Sequence, residues 1–163
     1  MKTAIYPGSF DPVTLGHLDI IKRAAVIFDN VVICVMVNSE KAPLFTPEER
    51  MKMLGTAVKG LGNVEIDMSD GLLADYARKK EACVVIKGLR AISDFEKEFQ
   101  MALVNRRLNP GLDTFFMASS EEYTYLSSSI VKELARHGTD LSGFVPKEII
   151  RDIEEKMRKR RQG

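Results

Sequence analysis

The sequence predicts an α/β protein, a doubly wound sheet of five parallel strands closed by a C-terminal helix. Three observations carry this expectation. Short β-rich runs alternate with helical segments along all 163 residues. The runs are short and mostly apolar, as parallel strands covered on both faces must be. The segments between them carry helix caps and stops instead of hairpin turns. The length suits one domain spanning 1–163 with one core.

Taken in order, the strands are read at Thr3–Tyr6, Val31–Val37, Val64–Met68, Cys83–Lys87 and Thr114–Met117. A helix near Leu18–Phe28 follows the first strand. The next begins at Thr46-Pro47-Glu48-Glu49, which supplies an N-cap, a proline at the first helical position and a capping-box glutamate. The apolar spacing Met51, Leu54, Val58 continues it. A third helix is expected at Leu72–Lys80. Ser93 is expected to cap a long one that Asn109-Pro110-Gly111 stops after Leu108, with Phe95, Phe99, Ala102, Leu103 and Arg106 on a mixed face. Ser128–Arg136 and Pro146–Arg160 complete the order βαβαβαβαβαα. In such a sheet the strand order reverses beside the first strand, so the loops after strands one and four flank the crevice where ligands bind.

Composition excludes several classes of function. A formal charge of +1 with 29% charged residues removes any global attraction to nucleic acid or an anionic membrane. The basic end KMRKRRQG is read as complementing a helix dipole rather than binding RNA. Cys34 and Cys83 each lie in apolar runs and are read as buried thiols, not a disulfide or a metal pair. No signal peptide and no run of eighteen apolar residues is present, so a cytoplasmic protein is expected.

The first loop, YPGSFDPVTLGH, places Gly8 and Gly16 for close backbone approach to a ligand and turns at Asp11-Pro12. It lacks both the dinucleotide fingerprint and the Gly-Lys phosphate loop, which disfavours nicotinamide enzymes and ordinary P-loop ATPases. His17 stands at a helix start, where a cation implies a phosphate in between; a histidine that only hydrogen-bonds its loop is the bland alternative. Lys87-Gly88-Leu89-Arg90 ends the fourth strand and brings two cations across the crevice from His17. That makes a three-cation pocket suited to phosphate. Ser127, Ser128 and Ser129 open another helix on the same edge, and Lys41 follows the second strand. One serine is explained as a cap, while three in a row fit a polyphosphate.

With these residues in view, the sequence resembles the bacterial phosphopantetheine adenylyltransferases. Thr14, Gly16 and His17 form the TxGH version of the HxGH nucleotidylyltransferase motif, and LSSSIVKE is similar to that superfamily's second signature. GSFDPVTLGH, KGLRAISDFEKEFQMA and VKELARHGTDLSGFVP extend the resemblance over essentially the whole chain. The family commonly has Arg at Lys87 and Trp at Tyr123.

The resemblance implies a Rossmann-like nucleotidylyltransferase fold that transfers the adenylyl group of ATP to 4′-phosphopantetheine, giving dephospho-coenzyme A and pyrophosphate in coenzyme A biosynthesis. His17 would stabilise the transition state, with Lys41 and Arg90 as its catalytic companions. Ser9, Phe10, Gly88, Leu89, Arg90 and Glu98 would meet ATP, as would Tyr123, Thr124, Tyr125, Leu126, Ser127, Ser128 and Ser129. Ser9, Lys41, Leu73 and Lys87 would meet the pantetheine substrate. Leu73 read alone is an ordinary core residue and Glu98 alone a solvated one; beyond KGLR, Glu98 is placed to reach a ribose or orient Arg90.

Mg²⁺ is implied, carried mainly by the ATP phosphates, since no carboxylate cluster marks a protein site. A homohexamer and feedback by coenzyme A are likewise implied by resemblance alone. The rival readings are a TxGH transferase using CTP or nicotinamide mononucleotide, and a non-catalytic nucleotide or coenzyme A sensor. Retention of His17, Lys41 and Arg90 together argues against the sensor. His137 is assigned no chemistry.

Overall fold

A computed structural model describes residues 2–38 and 42–162 of the chain. Strands β1 (Thr3–Gly8), β2 (Asn30–Met36), β3 (Val64–Ser69), β4 (Val84–Leu89) and β5 (Asp113–Ala118) form one parallel sheet in the order β3-β2-β1-β4-β5. Between and after them run α1 (Leu15–Ile27), α2 (Pro47–Ala57), α3 (Leu73–Lys79), α4 (Ile92–Leu108), α5 (Ser128–Arg136) and α6 (Ile150–Gln162). Short 3₁₀ turns at Glu121–Tyr123 and Lys147–Ile149 precede α5 and α6. The element order and the reversal beside β1 are those read from the sequence.

Alternation along the strands sorts the core into two layers. Ala4, Tyr6, Ile33, Val35, Val84 and Ile86 point to the face covered by α1, α2, α5 and α6. Ile5, Val32, Cys34 and Val85 point to the other, against Tyr76 and Ala77 of α3 and Leu112. The edge strands depart from the expectation of burial on both faces. β3 exposes Glu65 and Met68, and β5 exposes Asp113 and Phe115, because each has one sheet neighbour and thinner helical cover.

Local chemistry sets the helix starts. Thr46 Oγ1 accepts from Glu49 N–H while the Glu49 carboxylate accepts from Thr46 N–H, the capping box read from TPEE. Glu49 also holds Lys156 of α6 at 2.7 Å, which ties the C-terminal helix to α2. Two expectations fail. Ser93 does not cap α4: the helix begins at Ile92 with Ala91 at the cap position and no side-chain bond, so Ser93 already lies inside the first turn, and Asp94 beside it engages Arg90. Cys83 is exposed rather than buried, since the strand starts one residue later and its thiol sits at the sheet's lower edge, 3.9 Å from the Thr3 carbonyl. Cys34 is buried in β2 as expected.

No helix among the described residues is long and apolar enough to cross a membrane. α4 is unusual in another way: only Asn105 along it is buried, while Leu103 is 56% and Ile92 82% exposed.

The C-terminal helix and the 3₁₀ turn before it are part of the core, with Ile153 of the helix and Ile149 of the turn wholly buried. Ile153→Ala is expected to lower stability by about 2–5 kcal/mol through lost transfer energy and a residual cavity. Loss of the rim contact in Lys156→Ala should cost about 1 kcal/mol or less. Urea denaturation of the two variants beside wild type measures the contrast, and equal losses would contradict it.

Candidate active site

β1 and β4 pair only at Ala4–Val84 and Ile5–Val85, whereas each pairs with its outer neighbour along its full length. Beyond Ile5 the two strands diverge, and the gap opens into a cavity of about 1020 Å³. The loops after β1 and β4 and the start of α5 surround it, as the sequence reading required.

The first loop is held by a reciprocal cap. Thr14 Oγ1 accepts from His17 N–H at 3.3 Å, and His17 Nδ1 accepts from Thr14 N–H at 3.1 Å, so histidine takes the place glutamate holds in an ordinary capping box. That geometry explains the Thr-x-x-His spacing and fixes the tautomer, leaving the proton on Nε2. His17 therefore hydrogen-bonds its loop and lines the cavity at once.

Its ring packs against Phe10 at 5.1 Å and Tyr6 at 6.4 Å between centroids. Burial, aided by the like charge of Arg90, brings its pKa down to about 4. The expected three-cation pocket is corrected here: without an anion beside it, His17 is a neutral N–H donor. The same burial holds the Tyr6 phenol far above its ordinary range.

Glycine is needed at two points. A Cβ on Gly8 would stand 2.9 Å from the ring of Phe10, a residue at φ 47°, so Gly8 makes room for its own loop rather than for a ligand. A Cβ on Gly88 would meet Ile20 of α1 at 3.2 Å, narrowing the floor of the gap. The Phe10 side chain itself is 1% exposed and belongs to the core.

The cations are already engaged. Lys87 pairs with Glu98 at 2.9 Å, off the axis of a good hydrogen bond, so the buried Glu98 Oε2 has charge compensation without a donor. Glu98 does not orient Arg90. Asp94 does, at 3.1 Å, while Arg90 Nη1 also donates to the Leu126 carbonyl ahead of α5. Side-chain alternation turns Gly88 toward α1 and Lys87 toward α4, so β4 divides the cavity into an α1–α5 side and an α3–α4 side.

At α5, Ser127 caps Ile130 N–H, and the Ser128 hydroxyl donates to the Pro12 carbonyl at 2.7 Å. The N–H groups of Ser128 and Ser129 remain as the helix-start donors.

Of the residues named from sequence, Ser9, Phe10, His17, Leu73, Lys87 and Gly88 line the cavity. So do Arg90, Glu98, Leu126, Ser127, Ser128 and Ser129. Leu89, Tyr123, Thr124 and Tyr125 are not part of that wall. Tyr123 abuts the α1 start, its Cβ 3.4 Å from a Cβ placed on Gly16. Lys41 lies outside the described residues.

Lining residues that escaped the sequence reading include Asp11, Lys132, Arg50 and Asn105. Asp11 is buried and accepts from Leu44 N–H, Phe45 N–H and Lys132 Nζ, joining three segments of the wall. Lys132 follows Ser128 by one helical turn, a spacing that could have pointed to it. Arg50 and Asn105 are buried polar residues on helices whose sequence patterns give no sign of their burial.

Because the folded-state pKa of His17 lies below its unfolded value, the unfolded chain binds the extra proton between about pH 6.5 and 4. Its contribution to stability is present above pH 6.5 and is lost as pH falls toward 4, by about 1–3 kcal/mol. His17→Asn should flatten that part of the stability–pH curve. Urea midpoints of both proteins across this range supply the check, and parallel curves would count against a buried neutral imidazole.

A family model described as cytidylyltransferase-like matches residues 5–134. Among solved structures, a putative nicotinate-nucleotide adenylyltransferase from Vibrio parahaemolyticus shares the fold, with TM-score 0.67 and 18% identity over 98% of this chain and 93% of that one. The nicotinic acid mononucleotide adenylyltransferase of Plasmodium falciparum does likewise, with TM-score 0.67 and 12% identity over 98% and 96%. At such identities the likeness concerns fold alone.

Sequence relatives are far nearer. The phosphopantetheine adenylyltransferase of Caldanaerobacter subterraneus subsp. tengcongensis is 54% identical over 98% of this chain and 99% of its own. That of Lachnoclostridium phytofermentans is 56% identical over 96% of each, and that of Natranaerobius thermophilus 54% identical over 99% and 100%. Identity above one half, sustained from end to end of both chains, leads to one conclusion: this chain belongs to the phosphopantetheine adenylyltransferase family.

Proposed function

We propose that this protein is a nucleotidyltransferase that moves the adenylyl group of ATP to 4′-phosphopantetheine, releasing pyrophosphate and forming dephospho-coenzyme A. The observation that best supports the reading is the division of one cavity into two unlike arms. On the α3–α4 side, Met36, Leu73, Met101 and Val104 make an apolar channel with the buried amide of Asn105 in it. An acceptor with apolar segments and amide groups suits that channel. Lys87 stands where the channel meets the gap, in the place for a terminal phosphate. On the other side, the α5 start, Arg90 and His17 suit a triphosphate. A reading with CTP or nicotinamide mononucleotide gains nothing from the sequence relatives.

In the proposed step an oxygen of the acceptor phosphate forms a bond to the α-phosphorus of ATP. The bond to the bridging oxygen breaks, and pyrophosphate departs with the electron pair. The nucleophile is already ionised, so no general base is required, and alignment with charge stabilisation carries the rate. His17 Nε2–H donates to an α-phosphate oxygen as charge builds there. The N–H groups of Ser128 and Ser129 and the guanidinium of Arg90 hold the leaving phosphates. Ser9 borders both substrates, and Lys41, by resemblance, adds an ammonium on the acceptor side.

Among the described residues the acids lining the gap, Asp11 and Glu98, are each engaged by a cation, as is Asp94 beside Arg90, and they do not fit a resident metal. Mg²⁺ is therefore assigned to the ATP phosphates, as part of the substrate. The free thiols of Cys34 and Cys83 accord with a cytoplasmic setting.

We further propose a homo-oligomer, a hexamer by resemblance, with the exposed apolar residues of α4 at its contacts. Coenzyme A, which contains the same phosphopantetheine arm, is proposed to compete at the acceptor channel.

Wild type is expected to release pyrophosphate from ATP, Mg²⁺ and 4′-phosphopantetheine, with ATP strongly preferred over CTP. Equal or better turnover of CTP with glycerol phosphate would overturn the assignment. His17→Ala should lower kcat far more than it weakens ATP binding, since its bond strengthens as the α-phosphorus becomes pentacoordinate. An unchanged kcat would return His17 to a capping role alone.

Lys87→Ala should cost about ten- to a hundredfold in kcat/KM for phosphopantetheine with little change in ATP affinity, and Lys87→Arg should keep most activity. Initial rates with varied acceptor, beside ATP titrations, separate the two substrates. For the assembly, Leu103→Glu is expected to reduce the sedimenting mass, and an unaltered mass would remove α4 from the interface.

A further inference from the structure

The cavity's charges are unevenly matched. Three of its described cations have a carboxylate close by: Lys87 with Glu98 at 2.9 Å, Arg90 with Asp94 at 3.1 Å and Lys132 with Asp11 at 3.0 Å. The fourth, Arg50, has none within ion-pairing distance among the described residues. It is also among the most deeply buried polar groups of the chain, with 3% of its surface exposed. Its protein contacts are two carbonyl oxygens, Ser9 at 2.8 Å from Nη1 and Thr46 at 3.4 Å from Nε. Among the described residues Nη2 has no partner, and Arg50 lines the wall of the cavity.

Two carbonyls require donors but not a charge, and a neutral amide would serve one of them as well. A guanidinium does not shed its charge on burial, so one beside a cavity with no carboxylate partner among the described residues favours an incoming anion. The fork of N–H donors matches a phosphomonoester dianion in shape and charge. Arg50 enters from α2, on the side of the loop that runs through Ala42 and Pro43, and it grips the carbonyl of Ser9. The α5 start and Arg90 occupy the opposite, nucleotide side. We propose that Arg50 is a further substrate-binding residue, whose guanidinium meets the terminal phosphate of the acceptor while its Ser9 contact holds the first loop in place. The identity of that phosphate rests on the proposed adenylyl transfer to phosphopantetheine.

Titration calorimetry of wild type, Arg50→Gln and Arg50→Lys with 4′-phosphopantetheine, with pantetheine lacking the phosphate, and with ATP tests this directly. Wild type should bind the phosphorylated acceptor more tightly than pantetheine. Arg50→Gln should cut that phosphate-dependent ratio by about tenfold or more, Arg50→Lys should fall between, and ATP affinity should stay within about twofold. A ratio unchanged in Arg50→Gln overturns the proposal. So does a uniform weakening of all three ligands with a lower Tm, which would make Arg50 only a tie between Ser9 and Thr46. Weaker ATP with unaltered acceptor binding overturns it too.

If Arg50→Gln does not fold, Arg50→Lys decides: a ratio equal to wild type refutes the forked contact, and a severalfold loss confined to the phosphorylated acceptor supports it. Pyrophosphate release by the same wild-type preparation reports on adenylyl transfer separately, so failure of that reaction and failure of the Arg50 contact are distinguishable.

Discussion

Everything at the active site depends on β1 and β4 separating after two paired residues. Parallel neighbours joined along their length would leave no room between the loops that follow them. Here β1 stays with β2 up to Gly8, and β4 stays with β5 up to Leu89, so the two halves of the sheet part where the order reverses. Ile20 of α1 lies against Gly88 and brings that helix close to the floor of the gap. The cap of α1, the end of β4 and the start of α5 then face one volume although they are far apart in the chain.

A site that gathers this much positive charge must remain stable when no anion is present. The structure meets that demand by pairing. Glu98, Asp94 and Asp11 each hold a cation of the cavity, and His17 stays neutral because burial and Arg90 depress its pKa. Each pair also fixes geometry. Arg90 reaches from α4 to the Leu126 carbonyl, and Asp11 joins the first loop to the segment at Leu44 and Phe45 and to α5. The network that neutralises charge is thus the one that aligns the walls. Arg50 stands apart because, among the described residues, its partners are carbonyls and not a carboxylate.

His17 illustrates how a structural and a chemical role can share one side chain. Its Nδ1 closes the helix cap and its Nε2–H is thereby committed to the cavity, so the bond that orders the loop also selects the tautomer a phosphate needs. Ser127 and Ser128 repeat the principle at α5. One hydroxyl caps the helix and the other is tied to Pro12, while the donors left over are backbone N–H groups.

Local signals were enough to read much of this protein from its sequence. Apolar runs, the Thr46–Glu49 box and the stop at Asn109-Pro110-Gly111 act within a few residues, and they placed the strands, most helices and the two loops beside the crevice. The TxGH and serine-led motifs are local as well, and so they marked His17 and Ser127–Ser129. What escaped were consequences of contacts between distant segments. Only packing shows that Glu98 takes Lys87 rather than Arg90, that Cys83 faces outward, that β3 and β5 are half-covered, and that Arg50 and Asn105 are buried. Burial and the choice of charge partner are set by which surfaces the fold brings within a few ångströms, and a residue's immediate neighbours in the chain carry no record of that.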